Sequence, residues 1–341
     1  MKKIFQAFLQ YVLPLALGLG LFWWVMKDQN FTEIAAIFRG ADYRWLFASF
    51  CFAMISHWAR AQRWKLLLEP IGYDLPITKS FIGVMVGYLA NLLVPRMGEV
   101  TRCAVVQKMH GIPANVSFGT VVMERIVDVF ILFSLVVGVV LLEFDKIGKM
   151  VLGIFSDKLK SLQNLYIFAI IAVLMLGIGI FVMYRMREKL LTIPLVVKVK
   201  NFSVGIFEGL QSIRKVKNMP LFVFYTLLIW FMYYMMAYVL FFCRPETENL
   251  GLIAGGVILV MGGIGMAAPV QGGVGAYHLL VSQALMFYGI EAGFGKDFAT
   301  FMHTVQTAII FFVGLLAFLA SFFFKNENQK EVQTPENSEI I

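Results

Sequence analysis

Charged residues occur inside two neighbouring apolar stretches of the sequence, where their types and spacing could bind an anion. Glu124, Arg125 and Asp128 lie seven to eleven residues after Ser117, where the stretch 117–142 begins, and the two carboxylates, four residues apart, share one helix face. A charge at the centre of a bilayer costs about 2.5–3.5 kcal/mol. These side chains therefore predict ion pairing or a wet cavity, and their natural partners in the preceding segment are Arg96, Glu99 and Arg102.

Two interpretations of this cluster stay open. In the structural one, the three carboxylates pair with the three arginines and brace the chain; Glu99 and Arg102, three residues apart, can also pair on one helical turn. In the functional one, one or more of the arginines bind the phosphate of a lipid headgroup, because a planar guanidinium forms bidentate hydrogen bonds to phosphate. Both interpretations can hold together.

A second group of polar residues lies towards the other end of the chain. His278 and His303 are accompanied by Gln271 and Gln306. A lone histidine is more often a hydrogen-bonded structural residue, and a proton relay is the weaker alternative. No second ligand lies at the spacing of a zinc site, so no metal and no other cofactor is expected.

Three further polar residues follow the apolar stretch 45–64. His57, Arg60 and Arg63 stand near its end, where long basic side chains usually extend to the membrane surface. We expect them to snorkel to the interface.

Two broken segments position these residues. The first runs from Asn91 through Pro95 and Gly98 to Arg102, and the second runs from Pro269 to His278 and includes Gln271, Gly272 and Gly273. Each follows an apolar run rich in glycine and breaks with Pro-x-x-Gly, which interrupts a helix. Matching breaks in two halves are the best sequence indicator of a transport site, so both segments are candidate substrate-binding regions.

The composition indicates a membrane protein. Hydrophobic residues make up 60% of the 341 residues and charged residues only 15%, whereas soluble domains are about half apolar and one quarter charged. The net charge of +8 comes from cations between apolar stretches, which is typical of membrane topology and contact with anionic lipid rather than nucleic-acid binding. We expect an all-α, polytopic bundle of about eight transmembrane helices.

The apolar stretches set the predicted organisation. They are 8–26, 45–64, 77–95, 117–142, 165–184, 220–242, 250–268, 273–290 and 298–324. We expect one membrane domain over 1–324 with possible pseudo-symmetric halves, 8–142 and 165–324, and a disordered polar tail over 325–341. The segment 185–217 combines helical apolar spacing with eight cations, and we interpret it as a cytoplasmic amphipathic helix at the interface.

Charge asymmetry predicts the topology. The N-terminus, the residues after the second stretch and the segment 185–217 are all cationic and should be cytoplasmic. Strict alternation of nine spans would place 185–217 outside, so residues 77–112 are predicted to form a re-entrant hairpin. The alternative is an error in the number of spans.

The broken segments resemble a known family, the lysylphosphatidylglycerol synthase transmembrane-region family, also called the flippase-like domain family. The likeness covers roughly residues 8–324 and rests on three motifs: Asn91, Pro95, Gly98, Glu99 and Arg102; Glu124, Arg125 and Asp128; and Pro269, Gly272, Gly273 and Gly275. The family often carries Glu where this chain has His278 and Pro where it has Gln271, so a carboxylate role in the second half is not expected here.

The resemblance implies a protein of the bacterial inner membrane that translocates modified anionic lipids. We therefore expect a lipid flippase or lipid-binding transporter whose partners are anionic or phosphate-bearing lipids. One alternative is a membrane component of phosphatidylglycerol lysyltransferase, working with a separately encoded lipid-modifying enzyme, because no polar stretch of this chain is long enough for a transferase domain. Another is an assembly protein that transports nothing.

Overall fold

Eight α-helices make up most of the described chain. The computed structural model describes residues 38–143, 211–268 and 270–324. In chain order the helices are α1 Tyr43–Leu68, α2 Ile77–Leu93, α3 Met97–His110, α4 Ala114–Leu142, α5 Met219–Tyr238, α6 Leu252–Ala267, α7 Ala276–Phe287 and α8 Ala292–Ser321. No strand occurs in these ranges. The stretches 8–26 and 165–184, the tail 325–341 and all but the end of the segment 185–217 lie outside the described residues.

Three of these helices are long and apolar enough to cross a membrane: α4, α5 together with the 3₁₀ turn that extends it to Cys243, and α8. The outer face of α4 is strongly exposed and apolar, with Val129, Phe130, Phe133 and Leu141 each more than 60% exposed. Such a face suits contact with lipid tails. The predicted all-α membrane helix bundle is confirmed.

Both predicted chain breaks form helical hairpins. Helix α2 ends where Val94 takes an extended conformation before Pro95, and α3 starts after Arg96, whose φ is +64°. The helices α2 and α6 have 17 and 16 residues, which at about 1.5 Å per residue is shorter than the roughly 30 Å hydrocarbon layer. We name α2–α3 the first hairpin and α6–α7 the second hairpin; their arms have the lengths of re-entrant segments.

Close backbone approach holds each hairpin together. A Cβ on Gly87 would lie 2.9 Å from the carbonyl oxygen of Gly98, and a Cβ on Gly265 would lie 2.6 Å from the Cα of Tyr277. These distances leave no room for a side chain, so the small residues noted in the sequence allow the two arms to pack directly.

The two halves share one order of elements: a long helix, a hairpin and a second long helix. Helix α1 packs along α5, so the first long helices of the two halves are neighbours. The first arm of each hairpin packs against the last helix of the other half: α2 against α8, and α6 against α4. Each half also has its own hydrophobic core and completes it with the other half's last helix. Val139 of α4 lies in the core of the second half, and Ala317 of α8 lies in the core of the first half.

Candidate functional site

A fully buried ionic trio joins α1, α3 and α4. Glu124 accepts a hydrogen bond from Arg102 at 2.7 Å and lies 3.4 Å from Nε of Arg63. The side chains of all three residues are at most 4% exposed. The Arg102 guanidinium also stacks over the ring of Trp64, 3.6 Å from its centroid. The trio braces the first half, as the structural interpretation predicted for Arg102 and Glu124.

The predicted snorkelling of His57, Arg60 and Arg63 is wrong. All three are at most 5% exposed, because α1 continues to Leu68 and their positions lie inside the bundle. Carboxylates of α4 neutralise the two arginines, which removes the need to reach water.

A second ionic layer lies beside the trio. Asp128 binds Arg60 at 2.8 Å and Arg63 at 2.9 Å, with Arg125 at 3.8 Å. Glu99 lies 3.6 Å from Nε of Arg125, so its nearest cation is Arg125 and not Arg102 as the spacing suggested. Arg125 is 38% exposed, which distinguishes this layer from the trio.

This second layer forms the polar wall of a cavity of about 370 Å³ between the two halves. Charged residues of the wall are Arg60, Arg96, Glu99, Arg125 and Asp128. The opposite wall is apolar and comes from the second half, including Ile258, Leu259 and Met266. The trio residues Arg63, Arg102 and Glu124 do not reach the cavity.

The cavity lies at mid-height of the long helices. Asp128 is the fifteenth of the 29 residues of α4, and Gln306, on the same cavity wall, is the fifteenth of the 30 residues of α8. If these two helices cross the bilayer, the midpoint of each lies near the centre of the hydrocarbon layer. The charged wall thus belongs to the interior of the membrane domain.

Cations outnumber carboxylates on the cavity wall. Three arginines (Arg60, Arg96 and Arg125) face two carboxylates (Glu99 and Asp128). The side chain of Arg125 is 38% exposed, so its guanidinium is the most accessible of the paired cations. The wall therefore carries a net positive charge that can attract an anion.

The tips of the two hairpins are linked reciprocally. Arg96, at the first tip, donates to the carbonyl of Ala267 at 2.6 Å, where α6 ends. Gln271, at the second tip, donates to the carbonyl of Leu92 at 3.0 Å, near the end of α2. Each tip thus binds free carbonyls at the end of the other hairpin's first helix.

Asn91 and the two glycines shape these tips. The side chain of Asn91 accepts from the backbone N–H of Gly98 at 2.7 Å and so caps α3. Gly272 and Gly273 have φ values of +55° and +76°, which glycine tolerates without a steric penalty. All three line the cavity, but their observed contacts are structural.

The two predicted histidines lie together behind the second tip. His303 donates from Nε2 to the carbonyl of Gly272 at 2.8 Å, and His278 accepts at Nδ1 from the N–H of Gly275 at 3.2 Å. Their ring centroids are 4.8 Å apart. Neither ring lines the cavity.

Sequence reasoning missed the residues that complete the polar wall. The hydroxyl of Tyr233 accepts from Arg60 at 3.2 Å and lies 3.2 Å from the hydroxyl of Tyr88. A signal for Arg60 was present in α1: buried polar residues recur at helical spacing on one face, namely Ser49, Ser56, Arg60 and Arg63. No signal marked the two tyrosines among the many aromatic residues of the chain.

Long apolar helices, two half-length hairpins and ionisable residues at mid-height define a multi-pass membrane protein. The chain belongs to the family described as lysylphosphatidylglycerol synthase TM region, whose sequence profile matches residues 11–314. It is 26% identical over 118 residues to a UPF0104 membrane protein of Methanocaldococcus jannaschii, a match covering 33% of this chain and 35% of that protein. The chain thus spans about a third of the length of this curated relative. No solved structure matches the chain.

Proposed function

We propose that the protein binds a phosphate-bearing anionic lipid in the cavity between its halves and moves it between the leaflets of the membrane. The observation that carries this proposal is the excess of arginine on the cavity wall. The headgroup phosphate binds the guanidinium of Arg125, whose side chain is 38% exposed, with the buried Arg60 adding positive charge behind it. Guanidinium groups suit phosphate because they present parallel donors. As part of this proposal, the transporter works in the bacterial inner membrane with its N-terminus in the cytoplasm.

The rim of the cavity supports lateral entry of a lipid. Val129, Met266 and Val270 line the cavity and are 64%, 40% and 41% exposed. An apolar rim of this kind lets acyl chains stay among lipid tails while the headgroup enters. A soluble anion gains nothing from such a rim, so a lipid is the better ligand.

The hairpin tips provide the moving parts of the proposal. Each tip crosses to the other half through a single side-chain hydrogen bond, from Arg96 or from Gln271. The neutral bond from Gln271 contributes about 1 kcal/mol and the charged bond from Arg96 about 1.5–3 kcal/mol, so separation of the tips breaks two bonds of modest strength. Rocking of the halves then changes the side from which the cavity is reached.

Lipid transfer in vesicles tests the proposal. The purified protein is reconstituted with fluorescent phosphatidylglycerol, and transfer between leaflets is followed by quenching from outside. We expect transfer above protein-free vesicles, and a loss of about tenfold or more in Arg125→Gln, because a hydrogen bond to a charged group contributes about 1.5–3 kcal/mol.

The matched control is Arg244→Gln. Arg244 pairs with Glu246 outside the cavity, so this variant loses a cation without changing the charged wall and should transfer lipid at the wild-type rate. Transfer that is absent from the wild type, or equal in both variants, contradicts the proposal.

A further inference from the structure

Two imidazole rings hold the second hairpin tip. The carbonyl of Gly272 can only accept, so Nε2 of His303 carries a proton. The N–H of Gly275 can only donate, so Nδ1 of His278 carries none. The bond made by His278 therefore requires a neutral ring, whereas the bond made by His303 forms in either protonation state.

The remaining nitrogens of the pair are available for proton uptake. With Nδ1 of His278 occupied as an acceptor, its proton is on Nε2, which is buried and has no partner among the described residues. Nδ1 of His303 makes no hydrogen bond within the described chain, and a proton there leaves the bond from Nε2 to Gly272 in place. A proton on Nδ1 of His278 instead removes the acceptor of the Gly275 N–H. Charge on both rings is opposed because they are 4.8 Å apart.

Among the described residues, the helices packed against the pair bring no carboxylate close to it. Helix α6 carries no titratable side chain, and α7 adds only Tyr277, whose ring is 5.0 Å from that of His303. Helix α8 carries Lys296 and Asp297 nearly two turns before His303, and α2, which packs against α8, carries Lys79 and Tyr88. An imidazolium is therefore not stabilised while the tip is in place, so proton uptake favours a state in which the tip has moved.

We propose that His278, beside His303, is a proton-binding site that detaches Gly275, at the end of the second hairpin tip, from α7 when it is protonated. Protonation of His278 at Nδ1 turns the acceptor of the Gly275 N–H into a donor, so that bond is lost and the two N–H groups repel each other. Gly272 and Gly273, a few residues before Gly275 on the same tip, line the cavity, so movement at Gly275 reaches the cavity wall. A link between this proton and lipid transfer rests on the proposed function, whereas the proton site does not.

Two substitutions preserve the hydrogen bonds at the tip and replace each imidazole with a side chain that does not bind a proton. In His278→Asn, the amide oxygen replaces Nδ1 as acceptor from Gly275. In His303→Gln, the amide N–H replaces Nε2 as donor to Gly272. The double variant therefore keeps the tip in place at every pH and is the matched control for the wild type.

Hydrogen–deuterium exchange in detergent micelles tests the site without any lipid transfer. Exchange of the peptide covering 271–276 is measured from about pH 8 to about pH 4, which brackets the ordinary histidine pKa of about 6.5. The first tip, around Gly98, serves as internal reference and corrects for the intrinsic pH dependence. Because one proton is taken up, we expect the ratio of the two exchange rates to rise as pH falls, by up to about tenfold per pH unit.

Three outcomes decide the inference. A rising ratio in the wild type and a constant ratio in the double variant support it. A constant ratio of exchange rates in the wild type overturns the inference, whether or not the double variant folds. An equal rise of this ratio in both proteins also overturns it. In the vesicle assay, lipid transfer that ignores an imposed pH gradient separates the proton from transport while leaving the proposed function intact.

Discussion

The two hairpins share a scaffold and differ in chemistry. Both have a short glycine-rich helix, a broken tip and a second short helix, and each packs against a long helix of the other half. Residues 77–110 of the first hairpin carry five charged side chains, whereas residues 250–290 of the second carry none. The backbone arrangement is thus present twice, while the charged side chains are concentrated in one copy.

This division has an energetic reason. Every buried ion pair must offset the loss of water around two charges, so a second charged hairpin would add that cost again. The second hairpin instead supplies an apolar wall, backbone carbonyls and the imidazole of His278. The cost of burying ion pairs is thus confined to the first half, and the second half adds none of it at its hairpin.

The largest expected effect is a loss of stability in Glu124→Gln, which tests the charged first half of the molecule. Removing the carboxylate leaves Arg63 and Arg102 buried without their shared partner, which costs about 3–5 kcal/mol. The thermal midpoint in detergent, followed by size-exclusion chromatography, should fall steeply. Thr307→Val, at a buried position of α8, is the control in the other half and should change the midpoint far less. A wild-type midpoint for Glu124→Gln would show that the trio does not brace the fold.

The next largest effect tests whether the arms of both hairpins pack equally closely. Gly98→Ala and Gly265→Ala each place a methyl group against the backbone of the opposing arm, so each should cost about 1–3 kcal/mol. Gly138→Ala is the control, because a Cβ there meets nothing within 4 Å and alanine favours the helix. If only the first hairpin is sensitive to its methyl group, the two hairpins are not packed alike, and the comparison fails.

The sequence predicts the hairpins better than it predicts the site. Pro95, Gly98 and Gly272 reveal the breaks because their backbone effects are local. The partnership of Arg102 with Glu124 is also predictable, since two charges in adjacent apolar segments need each other. The prediction for Arg60 is wrong because this residue stands near the end of the apolar stretch 45–64, where a basic residue resembles an interface anchor, whereas its partner Asp128 is 68 residues away.

Contacts between the halves could not be predicted at all. Arg96 and Ala267 are 171 residues apart, and Gln271 and Leu92 are 179 apart. Their partners are backbone carbonyls, which every residue has, so no residue type indicates them. Only the folded arrangement reveals that the tips exchange hydrogen bonds.

A smaller effect on stability is expected from removing a tyrosine hydroxyl, and it should differ between the charged side and the opposite side of the cavity. Tyr233→Phe removes a hydroxyl that binds the charged Arg60 at 3.2 Å, and we expect a loss of about 1.5 kcal/mol or more in stability. Tyr277→Phe removes only a 3.4 Å bond from Gln306, with a loss of about 0.5 kcal/mol. Thermal unfolding of the two variants side by side measures the difference. Equal losses would indicate that the Arg60 bond gains nothing from its charge.

The smallest effect concerns the backbone at the two tips. Glycine should be more stable than alanine at the first tip and less stable than alanine at the second. Arg96 has a φ of +64°, whereas Gln271 does not have a positive φ. Arg96→Gly should therefore be more stable than Arg96→Ala by about 1 kcal/mol, since both lose the bond to Ala267 but only glycine fits the left-handed backbone. At the second tip, Gln271→Gly should be less stable than Gln271→Ala by about 0.5–1 kcal/mol. Unfolding midpoints of the four variants test this reversal, and the same order of glycine and alanine at both tips would mean that Arg96 is not held in a strained conformation.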